Sequence, residues 1–87
     1  MELNDFDKAF IKFLSLRTPC EYFEIEWLYK KTNKSLDATC AYIVLAHTLN
    51  ITLVKALDVK AFYSEESKEG AKTVIRLFDG TEEILKR

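Results

Sequence analysis

The sequence predicts a small α+β fold: a three-helix N-terminal half followed by a small antiparallel β-hairpin or meander. Three observations predict it. Apolar residues recur at three and four up to about residue 50 and tend to alternate beyond it. Helix-start signals open three segments of the first half. Thr73–Phe78 concentrates strong β-formers in the second. At roughly 100–200 residues per domain, residues 1–87 leave room for a single domain only.

The first helix is expected from about Asp5 to Leu16. Asn4 caps it, Asp7 stands three positions on as the capping-box partner, and both acids lie at the positive end of the helix dipole. Leu3, Phe6, Phe10, Phe13 and Leu14 line one face, opposite Glu2, Asp5, Lys8, Lys12 and Ser15. Thr18-Pro19-Cys20-Glu21 opens the second helix, with a hydroxyl at N-cap, Pro at N1 and Glu at N3. Its inner stripe is Tyr22, Ile25, Leu28 and Tyr29, and Phe23 and Trp27 form a second stripe. Asn33 suits a left-handed residue after the end, so this helix stops near Thr32. Ser35 caps a third helix reaching about Leu49. Its interior, Ala38 to His47, is apolar around most of its circumference, the pattern of a central helix or a subunit seam.

Leu53–Tyr63 alternates as a strand, residues 64–70 form a charged loop, and Thr73–Phe78 forms a second strand. Asp79-Gly80 then offers a tight turn into residues 81–86, which read equally as a third strand or a terminal helical turn.

Composition excludes several classes. A hydrophobic fraction of 48%, with six Phe, four Tyr and one Trp, supplies a core and argues against disorder. Thirteen Lys+Arg against fourteen Asp+Glu leave a formal charge of −1, unlike an abundant non-specific nucleic-acid binder. Cys20 and Cys40 are too few for a disulfide scaffold and lack the grouping of a structural zinc. A reducing, cytoplasmic setting with both thiols free is therefore expected. The acidic start is no signal peptide, and the apolar run Ala41–Ala46 falls far short of the roughly 20 residues of a membrane span.

Leu28, Thr32-Asn33, Ser35, Ala38, Ile43, Leu49 and Leu53-Val54 follow one another like a second helix, tight turn, third helix and wing entry. Over Arg17–Phe78 the chain thus resembles a winged helix-turn-helix domain. The resemblance implies a third helix in the recognition position and a wing formed by residues 64–70 with their flanking strands. DNA-binding members present basic and amide side chains from that helix. Between Ser35 and Leu49 this chain has neither Lys nor Arg, only Asp37, Thr39, Tyr42, His47 and Thr48 as polar candidates. Direct major-groove readout is not expected from it. The alternative, a dimeric DNA-binding regulator, would draw its phosphate contacts from Lys30, Lys31, Lys34, Lys68 and Lys72.

Catalysis, cofactors and metals are not expected. His47 is the only histidine, Cys40 lies seven residues before it, and Gly70 and Gly80 build no phosphate loop. The aromatic residues point elsewhere. Phe23, Glu24, Trp27, Tyr29 and Tyr42 are the expected protein-binding residues, because Tyr and Trp on a partly open face anchor interfaces. Residues 1–26 carry six acids, Glu2, Asp5, Asp7, Glu21, Glu24 and Glu26, against Lys8, Lys12 and Arg17, a balance suited to a basic partner. The expected role is a small non-enzymatic regulator or inhibitor of the kind phages and mobile elements use. It would bind a macromolecule through the second helix or self-associate through the third.

Overall fold

A computed structural model describes residues 2–58, Glu69 and residues 72–76. Four helices follow in order: α1 (Asp5–Arg17), α2 (Tyr22–Lys31), α3 (Leu36–Leu49) and α4 (Leu53–Asp58). They belong to two compact units, Met1–Ser35 and Leu36–Arg87.

The expected β-hairpin is overturned. Leu53–Asp58, the opening of the expected first strand, is α4, and Glu69 and residues 72–76 are helical as well. No strand occurs among the described residues, which form an all-helical architecture where the α+β fold was expected. The reason is local. Leu53, Ala56 and Leu57 stand at spacings of three and four on one helical face, whereas a period of two places Lys55 between Leu53 and Leu57. The Thr52 hydroxyl decides for the helix by accepting the Lys55 N–H at 3.2 Å, satisfying a first-turn donor. At residues 72–76 the β-branched side chains are overruled, as strand preference depends strongly on context. Lys72 pairs there with Glu69 at 3.3 Å, and the Thr73 hydroxyl donates to the Glu69 carbonyl at 3.1 Å. Residues 59–63, the remainder of the loop, residues 77–78, the Asp79-Gly80 turn and residues 81–86 lie outside the described residues.

In the first unit, α1 starts as its capping box dictates. Asn4 Oδ1 accepts the Asp7 N–H at 2.8 Å, and Asp7 Oδ2 accepts the Asn4 N–H at 3.0 Å. Phe10, Ile11, Phe13 and Leu14 are buried, while Phe6 is 52% exposed. The buried stripe therefore leans toward Ile11, which the expected face omitted, and leaves Phe6 at its margin. Ile25, Leu28 and Tyr29 are the buried stripe of α2. The Phe10 and Tyr29 rings meet with centroids 5.4 Å apart, tilted by 49°. Covering side chains such as Phe10, Ile11, Ile25 and Leu28 stabilises the unit by about 1.5–3 kcal/mol each.

The α2 start differs from expectation. Thr18 closes α1: its N–H and its hydroxyl both donate to the Leu14 carbonyl, at 3.0 and 2.8 Å. Glu21 is the N-cap of α2, and Glu24 accepts its N–H at 3.0 Å. The capping signature recurs three residues later, and with Thr18 held by α1 the later register is used. Pro19 lies in the connection. At the other end Asn33 is left-handed, with φ of 57°, as its position after Thr32 suggested. The Lys34 N–H reaches the Tyr29 carbonyl at 2.8 Å and the Asn33 N–H reaches Lys30 at 3.1 Å. This is the Schellman pattern, in which asparagine tolerates the left-handed turn.

In the second unit, α3 begins directly after Ser35 and is buried at Thr39–Ile43, Leu45 and Ala46. Only its ends, including Asp37 and His47–Leu49, are exposed. The pattern, apolar around most of the circumference, is thus matched by burial within the chain. It ends as α2 does, with Asn50 at φ 55° and the Ile51 N–H on the Ala46 carbonyl at 2.9 Å. Leu53 and Ala56 are the buried residues of α4.

Candidate protein-interaction site

At 100° per residue, Phe23 and Trp27 lie on the side of α2 opposite Ile25, Leu28 and Tyr29. Phe23 is 65% exposed and Trp27 is partly exposed. Spacing of four places the two rings along one line. The Lys31 ammonium stands 6.0 Å from the Trp27 ring centroid, a cation–π contact that holds the indole against the helix. Lys30 pairs with Glu26 at 3.3 Å one turn back. Glu24 is partly covered and engaged at the N-terminus of α2.

The other two aromatic candidates are buried. Tyr29 is 1% exposed within the inner stripe, and its hydroxyl donates to Asp7 Oδ1 at 2.7 Å. A tyrosine whose polar tip finds an internal acceptor can bury its whole ring. Tyr42 is 9% exposed on α3. Neither has the open surface that an interface anchor needs.

Tyr29 belongs instead to a polar cluster around Asp7, itself 3% exposed. Besides the tyrosine hydroxyl, the carboxylate accepts the Asn4 N–H and the Lys34 ammonium, the latter at 2.9 Å. These donors favour the charged form, the Tyr29 hydroxyl most, then Lys34 and Asn4. They hold the Asp7 carboxyl at about 2. Burial, and next the Asp7 carboxylate, push the Tyr29 hydroxyl well above the ordinary phenol range. The sequence revealed the Asn4–Asp7 box but not its distant partners. A tyrosine 22 positions away carries no local signal, and Lys34 reads only as a surface charge.

Among the described residues, each lysine of the expected phosphate-contacting edge has a partner in the chain: Lys30 on Glu26, Lys31 on Trp27, Lys34 on Asp7 and Lys72 on Glu69. Lys68 lies outside the described residues. The acidity of residues 1–26 is likewise offset locally. Adding Lys30, Lys31 and Lys34 gives residues 1–35 six bases against the same six acids.

Both cysteines are free. Burial pushes the Cys40 thiol up to about 12, with Asp37 adding to the effect. Cys20 is raised as well, by burial first; the Thr18 hydroxyl opposes the shift and Glu24 reinforces it. Cys40 is buried while His47 is exposed, and no grouping of three metal-ligating residues occurs among the described residues. Neither thiol is activated, since the thiolate is the reactive form. Titration with a disulfide reagent at neutral pH should modify Cys20 slowly and Cys40 only on unfolding. Equal fast reaction of both would refute the burial of Cys40.

Among the described residues no helix is long and apolar enough to cross a membrane. Compared with family models, curated proteins and solved structures, the chain matches none, and the winged helix-turn-helix resemblance finds no support among them.

Proposed function

We propose that this chain is a small cytoplasmic, non-enzymatic interaction module that regulates or inhibits a protein partner by capturing it on the outward face of α2. The observation that carries this reading is the placement of Phe23 and Trp27. A helix that buries Ile25, Leu28 and Tyr29 has no folding reason to present two large aromatic rings on its other side. Exposed rings of this kind gain by being covered, and Trp and Tyr dominate interface energetics. Glu24 and Glu26 flank the rings and set the charge pattern that a partner must match.

Affinity capture from the native host, with wild type and the Phe23→Ala/Trp27→Ala variant side by side, tests the proposal. Truncating a hot-spot aromatic costs about 2 kcal/mol or more, roughly thirtyfold in affinity. A partner retained by wild type should therefore be lost by the variant. Helical circular dichroism should persist, because exposed substitutions usually shift stability by less than about 0.5 kcal/mol. A folded double variant that still holds every wild-type partner would refute the reading.

A further inference from the structure

The outward face of α2 is charged in a way that fits itself. At 100° per residue, Glu24 and Lys31 fall on one flank of the Phe23–Trp27 line, and Glu26 and Lys30 fall on the other. On both flanks the acid lies toward the N-terminus and the base toward the C-terminus. Two α2 helices packed antiparallel about a two-fold axis beside Trp27 would bring Glu24 of each copy to Lys31 of the other. The same operation would bring Glu26 to Lys30. Parallel packing would oppose like charges at every one of these positions. The helix dipoles also favour the antiparallel arrangement.

We propose that the occupant of the α2 face is a second copy of this chain, paired antiparallel across Trp27. This rests on the reading of α2 as an interaction face and names its partner. The isologous arrangement explains why one short helix carries both signs in segregated halves: a two-fold requires each patch to complement itself. The Trp27 indoles meet near the axis, and each Phe23 lies toward the C-terminal end of the opposite helix, over lysine stems that cover apolar surface well. The Glu26–Lys30 pair is already formed within one copy, so across the axis the four charges make a network rather than isolated pairs. A ten-residue helix is about 15 Å long. That is too short to bury the roughly 800 Å² per partner of a standard interface, so the association is weak and concentration-dependent.

Sedimentation equilibrium of the full chain from about 10 µM to about 1 mM brackets such an interface. Wild type should shift from monomer to dimer across this range. The charge-reversed variants Glu24→Lys/Glu26→Lys and Lys30→Glu/Lys31→Glu should each self-associate about tenfold more weakly or worse, and their equimolar mixture should recover the dimer. Should reversal compromise folding, Trp27→Ala supplies the second variant and should weaken the dimer by a similar factor. A chain that stays monomeric throughout, or reversed variants that dimerise like wild type, overturns the proposal. A monomeric chain whose Phe23→Ala/Trp27→Ala variant still loses a captured host protein also overturns it, while leaving α2 as the interaction face of the preceding section.

Discussion

Replacing Asp7 by alanine, which removes a capping-box acceptor and leaves a buried hydroxyl unsatisfied, should lower the thermal midpoint by roughly 10–20 °C. The substitution removes the Asp7 carboxylate that accepts the Asn4 N–H in the capping box and leaves the Tyr29 hydroxyl, buried and donating at 2.7 Å, without its acceptor. Lys34 suffers less, because its side chain is 31% exposed and can turn to water. Lys34→Ala should therefore be milder than Asp7→Ala. The same cluster makes stability depend on acid. The Asp7 carboxyl is depressed to about 2 from an ordinary 3.8, so the folded form holds its proton less tightly than the unfolded chain. Its contribution is complete above pH 4 and fades as pH falls toward 2. Asp7→Asn retains an acceptor for one donor but cannot titrate. Thermal melts between pH 5 and pH 2 should thus fall less steeply for Asp7→Asn than for wild type. Parallel curves would show that the cluster does not hold the carboxylate charged.

Phe10→Ala should cost about 3–5 kcal/mol, measured by urea or thermal unfolding. Phe10 is 0% exposed and meets Tyr29 ring to ring. Its loss leaves a cavity beside the tyrosine whose hydroxyl is tied to Asp7, so apolar and polar parts of the unit weaken together. The two effects should be less than additive in a Phe10→Ala/Asp7→Asn double variant, since both act through Tyr29. By contrast Phe23→Ala, on the open side of α2, should leave the midpoint nearly unchanged. A loss at Phe23 comparable to that at Phe10 would show Phe23 to be part of the core.

Much of the helical half was legible because its signals are local. The Asn4–Asp7 box, the asparagine after Thr32 and the interior Ala38–His47, apolar around most of its circumference, each specify their outcome within a few residues. The strand assignment failed where the segment is short: within Leu53–Asp58 the helical spacing of Leu53, Ala56 and Leu57 spans less than two turns and is absorbed into a longer alternation reaching Tyr63. The start of α2 failed for a related reason. Thr18 and Glu21 both precede a glutamate by three residues, and only the capture of Thr18 by the Leu14 carbonyl selects the later one.

For the candidate site the division is sharper. Side-chain type picked out Phe23, Glu24, Trp27, Tyr29 and Tyr42 as one group, but type does not say which ring is covered. Helical geometry alone places Phe23 and Trp27 opposite Ile25 and Leu28, so the chain's own pattern determined that outward pair. Packing decided the rest. Tyr29 turned inward because Asp7, 22 positions earlier, offers its hydroxyl a buried acceptor. Lys34 became the carboxylate's counter-ion because the turn after α2 carries it there. Hydrogen bonds between distant residues form only after the helices have met, and no local pattern encodes them.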